Sequence, residues 1–339
     1  MLLFRIINLL TYKTKIMKNN IIQDYGKTVT SELYTNALQG HQYIPQADQC
    51  IRNLIKGYCN ENSDICPRIL DLGCGPGRLT FSIAENNCHI IGLDISESFI
   101  SHANETYWKN EIRKGTVEFQ QRNFAEYGLK GNDNHQTLDI IFMQGVMHHI
   151  HGEDRSMFLH RIFEYLKPGG ILIIGDEFIK DYESKEERIL NVAKFYLHII
   201  DEARKGGFDE LAEEEAKNLI DDCFSGTKYA GHASQYVFDQ IIYPYAKKIN
   251  EMFFTHGSVA GLNFEANNQI RNMFDYIKRK TENLTESSTD ENFNRGDYKV
   301  STNVFAEELS LYGFKLKDKY EIGPVKQLGG MGVLVFTKQ

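Results

Sequence analysis

The stretch Ile69-Leu70-Asp71-Leu72-Gly73-Cys74-Gly75-Pro76-Gly77 limits what this chain can fold into more than any other. A short apolar run and an acid lead into three glycines on alternate positions, and Leu79, Ser82 and Ile83 then share one face of a helix expected over 78–85. Such a strand–turn–helix junction suits an anionic or zwitterionic cofactor. Glycines let the backbone turn tightly and approach a ligand, while the helix start presents free N–H groups at its positive end. The spacing is G-x-G-x-G; a dinucleotide fingerprint would place glycine or alanine at Arg78. A second apolar run, Ile90-Ile91-Gly92-Leu93, ends in Asp94, about 20 residues after the glycines, where an acid can chelate a ribose diol.

Two further segments extend the pattern. Leu138-Asp139-Ile140-Ile141-Phe142-Met143 reads as a strand followed by Gln144-Gly145-Val146-Met147-His148-His149-Ile150, and Leu166-Lys167-Pro168-Gly169-Gly170 as a turn. With the glycine segment and Gly92-Leu93-Asp94, in this order and at this spacing, the chain resembles the class I S-adenosylmethionine-dependent methyltransferases. The resemblance covers residues 45–180 and the C-terminal strands. The competing reading is a nicotinamide-binding Rossmann domain. The resemblance implies an α/β fold, a Rossmann-like seven-stranded, mostly parallel sheet flanked by helices, whose last two strands form an antiparallel hairpin. It also implies S-adenosyl-L-methionine as cofactor. Gly73, Gly75 and Gly77 then admit the methionine moiety and ribose against bare backbone, Asp94 accepts the ribose hydroxyls, and Asp71 orients the site near the cofactor's amino end. Asn123 and Phe124 stand where relatives hold the adenine amino group and ring, Ile95 packs on the other face, and Gln144 lies near the methionine end. For Ile95 and Phe124, simple core packing is the alternative.

With 339 residues and 42% hydrophobic content the chain can bury a large core, read here as one domain with a large insertion. The six cysteines (50, 59, 66, 74, 88 and 223) form no pair or Cys/His cluster at metal-ligand spacing, so reduced thiols in a cytoplasmic protein without a metal are expected. A formal net charge of −8 offers no clustered basic footprint, which argues against nucleic acid as partner. Residues 1–10 are apolar but interrupted by Arg5 and Asn8, too short to span a bilayer and unlike a signal peptide. Met17 is the expected start, with residues 1–16 dispensable, and a membrane-surface anchor is the alternative.

Helical spacing of Cys50, Ile51, Leu54 and Tyr58 predicts a helix beside the first strand, and Ser96 is placed to cap a helix over 97–109. Val117 and Phe119 mark a third strand. Met157, Phe158, Arg161, Ile162, Tyr165 and Leu166 lie along one side of a helix ending before Pro168, and the apolar run 171–175 reads as a strand covered on both faces. Phe305, Leu309 and Tyr312 predict a helix closed by Gly313, followed by strands over 314–322 and 331–337.

Four units are expected: an N-terminal extension and helix (1–44), the cofactor-binding core (45–180), a helical cap inserted between strands five and six (181–297), and a C-terminal helix and hairpin (298–339). Apolar spacing around Leu190–Leu197, Leu211–Leu219, Phe238–Phe253 and Ile270–Ile277 predicts the cap helices, and the polar stretch 281–295 predicts a mobile surface loop. Placed after strand five, the cap would cover the carboxyl ends of the sheet, where ligands of such folds bind. A stabilising or homodimer-forming appendage is its alternative role.

Methyl transfer is an in-line displacement that needs alignment and, for an oxygen or activated carbon nucleophile, removal of a proton. His148, His149 and His151 follow strand four, and Asp176 and Glu177 are expected to leave strand five into the cap. Glu177 is favoured over His148 as the catalytic base, with structural packing an alternative for the histidines. The Asn/Asp-Pro-Pro-aromatic motif of enzymes that methylate planar amino groups is absent, which disfavours such N-methylation. Cap aromatics, among them Tyr182, Tyr196 and Tyr236, suit a medium-sized small molecule, and Asp297-Tyr298-Lys299 is a further polar group on that side. The expected function is O- or C-methylation of a small molecule, with a glycan or secondary-metabolite precursor suggested. The alternatives are a lipid or quinone methyltransferase, and an adenosylmethionine-binding protein or lyase that transfers no methyl group.

Overall fold

A computed structural model describes residues 30–40, 43–84, 86–109, 116–129, 136–150, 152–183, 300–325 and 329–339. In chain order these form α1 (Ser31–Gly40), α2 (Ile44–Glu61), β1 (Arg68–Leu72), α3 (Arg78–Ile83), β2 (His89–Asp94), α4 (Glu97–Lys109), β3 (Thr116–Gln121) and the short α5 (Phe124–Tyr127). Then come β4 (Leu138–Gln144), a 3-10 turn (Met147–His149), α6 (Gly152–Tyr165), β5 (Leu166–Ile179), α7 (Thr302–Leu311), β6 (Phe314–Val325) and β7 (Gly329–Lys338).

The strands make one seven-stranded sheet in the order β3-β2-β1-β4-β5-β7-β6. The first five pair in parallel, and β7 runs antiparallel to both β5 and β6. Chain order reverses between β1 and β4, the crevice where ligands of open α/β sheets bind. β4 is buried along Leu138–Met143 because helices cover both of its faces, which explains its unbroken apolar run. On one face Leu70, Leu72, Ile141 and Ile174 pack with Phe158, Ile162 and Phe305 of α6 and α7; on the other, Ile69, Ile140, Phe142 and Val333 pack with Ile51, Ile55 and Ile83 of α2 and α3.

Local signals act as expected at several ends. Ser96 Oγ accepts from Phe99 N at 3.3 Å, and Gly313, at φ +87°, follows α7 in a left-handed conformation that glycine adopts without strain. The helix after the glycine turn is shorter than 78–85, ending at Ile83 with Ala84 as its cap.

Three expectations are corrected. The stripe that α2 buries is Ile44, Ala47, Asp48, Ile51, Ile55 and Cys59, whereas Cys50, Leu54 and Tyr58 are half-buried beside it. Apolar spacing pointed to the neighbouring row because Asp48, buried against Arg78, does not register as a core residue. In α6 the buried stripe is Phe158, Leu159, Ile162 and Tyr165, and Leu166 already belongs to β5. Strand five also extends far beyond 171–175. Asp176 and Glu177 lie within it, paired with Gly332 and Met331, because antiparallel β7 continues the ladder to Ile179↔Gly329.

Where β5 ends, the chain is tied to the segment that re-enters the core. Ile179 N donates to Val300 O at 3.1 Å, and Asn303 Nδ2 donates to Asp181 Oδ2 at 2.7 Å. Residues 1–16 with Met17, His151, Cys223, the predicted cap helices and their aromatics except Tyr182, the stretch 281–295, residues 297–299 and any dimer contact through the cap lie outside the described residues. Among the described residues no helix is long and apolar enough to cross a membrane, and no group of three His, Cys, Asp or Glu could hold a metal ion.

Candidate active site

The glycine turn connects β1 to α3 and is fastened to the end of β2. Gly73 N and Cys74 N donate to Leu93 O at 2.7 and 3.1 Å. Gly75 N donates to Asp94 Oδ2 at 2.9 Å, and Asp94 Oδ1 accepts from Ser96 N at 2.9 Å. A carboxylate at this strand end is the acceptor chemistry that a ligand diol requires. Gly73 sits at φ +72°, and a Cβ there would stand 2.5 Å from Val146 Cγ2, so conformation and space both demand glycine. Gly77 is set apart from the cleft. It caps α3 at φ +84°, and a Cβ there would meet Phe81, Phe119 and Ala103, so packing by itself requires glycine there.

Asp71 is buried at the carboxyl end of β1, where its Oδ2 accepts from Thr80 Oγ1 at 2.6 Å. Burial is the main cause that lifts its carboxyl from the ordinary 3.8 to about 7; the Thr80 bond and the Arg78 charge oppose the rise, and Asp94 and Asp48 add to it. Arg78 is ion-paired with the buried Asp48 of α2.

From this turn the cleft runs two ways. Toward β2 and β3 its wall includes Asp94, Ile95, Asn123 and Phe124. Ile95 and Asn123 are half-buried; Phe124 is 3% exposed and packs edge-on to Phe158 at 5.5 Å, so it serves the core and the wall at once. Toward β5 the wall includes Asp71, Gly75, His148, Glu177 and Met331. Tyr34, Gly73, Gln144 and Gly145 line both parts, which makes them one continuous cleft. Gln144 Nε2 donates to Met331 Sδ at 3.4 Å, and its Oε1 lies 1.8 Å from where a Cβ on Gly175 would stand. Gly175 therefore leaves the space in which the Gln144 amide rests.

The 3-10 turn after β4 carries His148 into the β5 side. Arg155 Nη1 donates to Met147 O at 2.7 Å and to Ile150 O at 3.2 Å, while Glu308 of α7 accepts from Arg155 Nε and Nη2 at 2.6 and 2.7 Å. His148 N donates to Asp176 Oδ2 at 3.2 Å, and His148 Nδ1 pairs with Asp176 Oδ1. The two histidine rings of the turn lie tilted against each other with centroids 3.8 Å apart.

Of the residues expected from sequence, ten share this cleft and Gly77 alone does not. Two were missed. Tyr34 reaches both parts from α1 and packs on Phe99 with ring centroids 4.9 Å apart; its i,i+4 spacing with Leu38, also in the wall, was the available signal. Met331 enters only through its register opposite Glu177 and has no local sequence signal. Asp176, read from sequence beside Glu177 as a carboxylate at the end of strand five, instead contacts His148.

Residues 67–235 match a family described as a methyltransferase domain. A phosphoethanolamine N-methyltransferase of Triticum aestivum is 34% identical over 111 residues, 32% of this chain and 20% of that protein. A carboxy-S-adenosyl-L-methionine synthase of Photobacterium profundum is 28% identical over 160 residues, 45% of this chain and 59% of that one. The matches thus span between a fifth and three fifths of these relatives. Among solved structures, a 1,6-didemethyltoxoflavin-N1-methyltransferase of Burkholderia thailandensis aligns with a TM-score of 0.42 and 13% identity, covering 85% of this chain and 78% of that one. Matched over 67–235 by a methyltransferase domain and folded on the seven-stranded sheet described above, the chain belongs to the class I S-adenosylmethionine-dependent methyltransferases.

Proposed function

We propose that the protein transfers a methyl group from S-adenosyl-L-methionine to an oxygen or carbon nucleophile of a small molecule, of the kind found among glycan and secondary-metabolite precursors. The observation that carries this reading is the continuity of the cleft. Residues suited to a nucleoside line one part, proton-handling residues line the other, and Gly73, Gln144 and Gly145 join them. The side chains present fit the cofactor. The turn at Gly73 has no room for a Cβ, so backbone forms the cleft wall there, Asp94 presents a carboxylate of the kind that binds a diol, and Asp71 offers a carboxyl for an ammonium group. When bound, the cofactor supplies an electrophilic methyl carbon on a sulfonium.

The chain's own tasks are to align the acceptor and take its proton. Glu177, half-buried in the wall, and His148 are both placed for the second task, and Gln144 and Tyr34 border both partners. The described residues that flank the chain between β5 and α7 meet at Ile179 and Ser301, two residues along β5 from Glu177. The free thiols of Cys50, Cys59, Cys66, Cys74 and Cys88 fit a reducing cytoplasmic setting. Incubation with methyl-labelled cofactor and fractionated small-molecule extracts tests the reading. A labelled product heavier than its precursor by one methyl group is the expected outcome; cofactor consumption without such a product would point to a lyase.

A further inference from the structure

Building on the methyl-transfer reading, we propose that Asp176 is the positioning residue of a His148–Asp176 pair, and that it makes Nε2 of His148, rather than the Glu177 carboxylate, the atom that takes the acceptor's proton. Asp176 is 2% exposed and lines no part of the cleft, so it can act there only through what it touches. Among the described residues its carboxylate makes three contacts. Oδ2 accepts from His148 N at 3.2 Å, Oδ1 accepts from Glu177 N at 2.7 Å, and Oδ1 also pairs with His148 Nδ1.

Both oxygens accept backbone N–H bonds, which is the behaviour of a carboxylate, and a carboxylate has no proton to offer the ring. The imidazole must therefore donate at Nδ1. In the neutral ring this leaves the lone pair on Nε2, the nitrogen that can accept a proton. The backbone of the turn is pinned independently, by Arg155 through Met147 O and Ile150 O, so Asp176 is left to set ring direction and tautomer. Glu177 differs in kind. Successive strand residues point to opposite sheet faces, so it projects away from Asp176, whose carboxylate therefore orients the His148 ring and not the Glu177 side chain.

The step balances without any further reactant. As the acceptor's electron pair forms the bond to the methyl carbon, its proton moves to Nε2, and the pair of the broken carbon–sulfur bond returns to sulfur. The imidazolium so formed is compensated by the Asp176 carboxylate and passes its proton to water after the product leaves.

Nitrogen-15 long-range NMR on the full chain saturated with S-adenosylhomocysteine reads the tautomer directly. The proposal expects neutral His148 to carry its proton on Nδ1, and expects Asp176→Asn to abolish that preference while adenosylhomocysteine affinity stays unchanged. A wild-type proton on Nε2 overturns it, and this measurement does not depend on any variant folding. With an acceptor from the labelled-cofactor assay, Asp176→Asn should lower kcat by about tenfold to a thousandfold with KM kept. Retained kcat in Asp176→Asn together with its loss in Glu177→Gln would assign the proton transfer to Glu177. Failure to find any methylated product would count against methyl transfer itself, and the tautomer would still decide whether the pair is built as proposed.

Discussion

The two parts of the cleft are built in different ways. The first part, the stretch along β1 and β2 from which the cleft runs both ways, is local and made largely of backbone: Asp71, the glycine turn and Asp94 fall within one strand–turn–helix–strand unit, held by the bonds of Gly73 N, Cys74 N and Gly75 N to Leu93 and Asp94. The part near β5 is assembled from side chains far apart in sequence, as in the Gln144–Met331 contact, which spans 187 residues, and the His148–Asp176 pair, which spans 28. Backbone templates tolerate few changes. Side-chain walls can be altered one residue at a time, so the first part suits a constant ligand and the second a ligand that varies between relatives.

The largest effect expected from this contrast is on turnover. His148→Asn should cost about a hundredfold to ten-thousandfold in kcat, the usual worth of a general base, with adenosylhomocysteine affinity unchanged by calorimetry. Collapse of cofactor binding in that variant would show that the two parts are not separable.

Asp71 tests the first part through pH. Its folded-state carboxyl titrates at about 7, above the ordinary 3.8, so burial penalises the charged form. Stability is then complete below about pH 4, falls as pH rises from 4 toward 7, and is level above, a loss of about 4 kcal/mol at 1.36 kcal/mol per unit. Chemical denaturation at several pH values should show this slope in the wild type and its absence in Asp71→Asn. An ammonium-bearing ligand favours the ionised form, so adenosylhomocysteine should also bind more tightly as pH rises to about 7 and release a proton below it.

Asp94→Ala should weaken adenosylhomocysteine by about tenfold to a hundredfold, from the loss of charge-assisted hydrogen bonds worth roughly 1.5–3 kcal/mol. Unchanged affinity in the folded variant would remove Asp94 from the site. Tyr34 belongs to both parts and should matter least. Loss of its ring and of the Phe99 contact, worth about 0.5–1.5 kcal/mol for an aromatic pair, predicts a severalfold fall in affinity for Tyr34→Ala and little change for Tyr34→Phe.

Sequence reading reached different depths in the two parts for the same reason that they differ in construction. A turn that requires glycines, an acid at a strand end and a fully apolar strand are dictated by backbone sterics and by burial on both faces, so Asp71, Gly73, Gly75, Asp94 and the run of β4 were legible from local order alone. One error there was of degree: the stripe of α2 was read one row aside because Asp48 is a charged residue made tolerable inside by Arg78.

What the amino-acid sequence determined by itself was the succession of strands and helices and the position of the glycine turn, since short-range sterics and hydrophobic periodicity act within a few residues; the parallel sheet with its antiparallel hairpin was implied by the family resemblance that those segments carry. Only the tertiary structure decided that β7 prolongs β5 past Asp176 and Glu177, that Met331 stands opposite Glu177, and that Asp176 meets His148 rather than a ligand. Those facts depend on strand register and on which strands are neighbours, and register is set by the packing of the whole sheet, which no local pattern encodes.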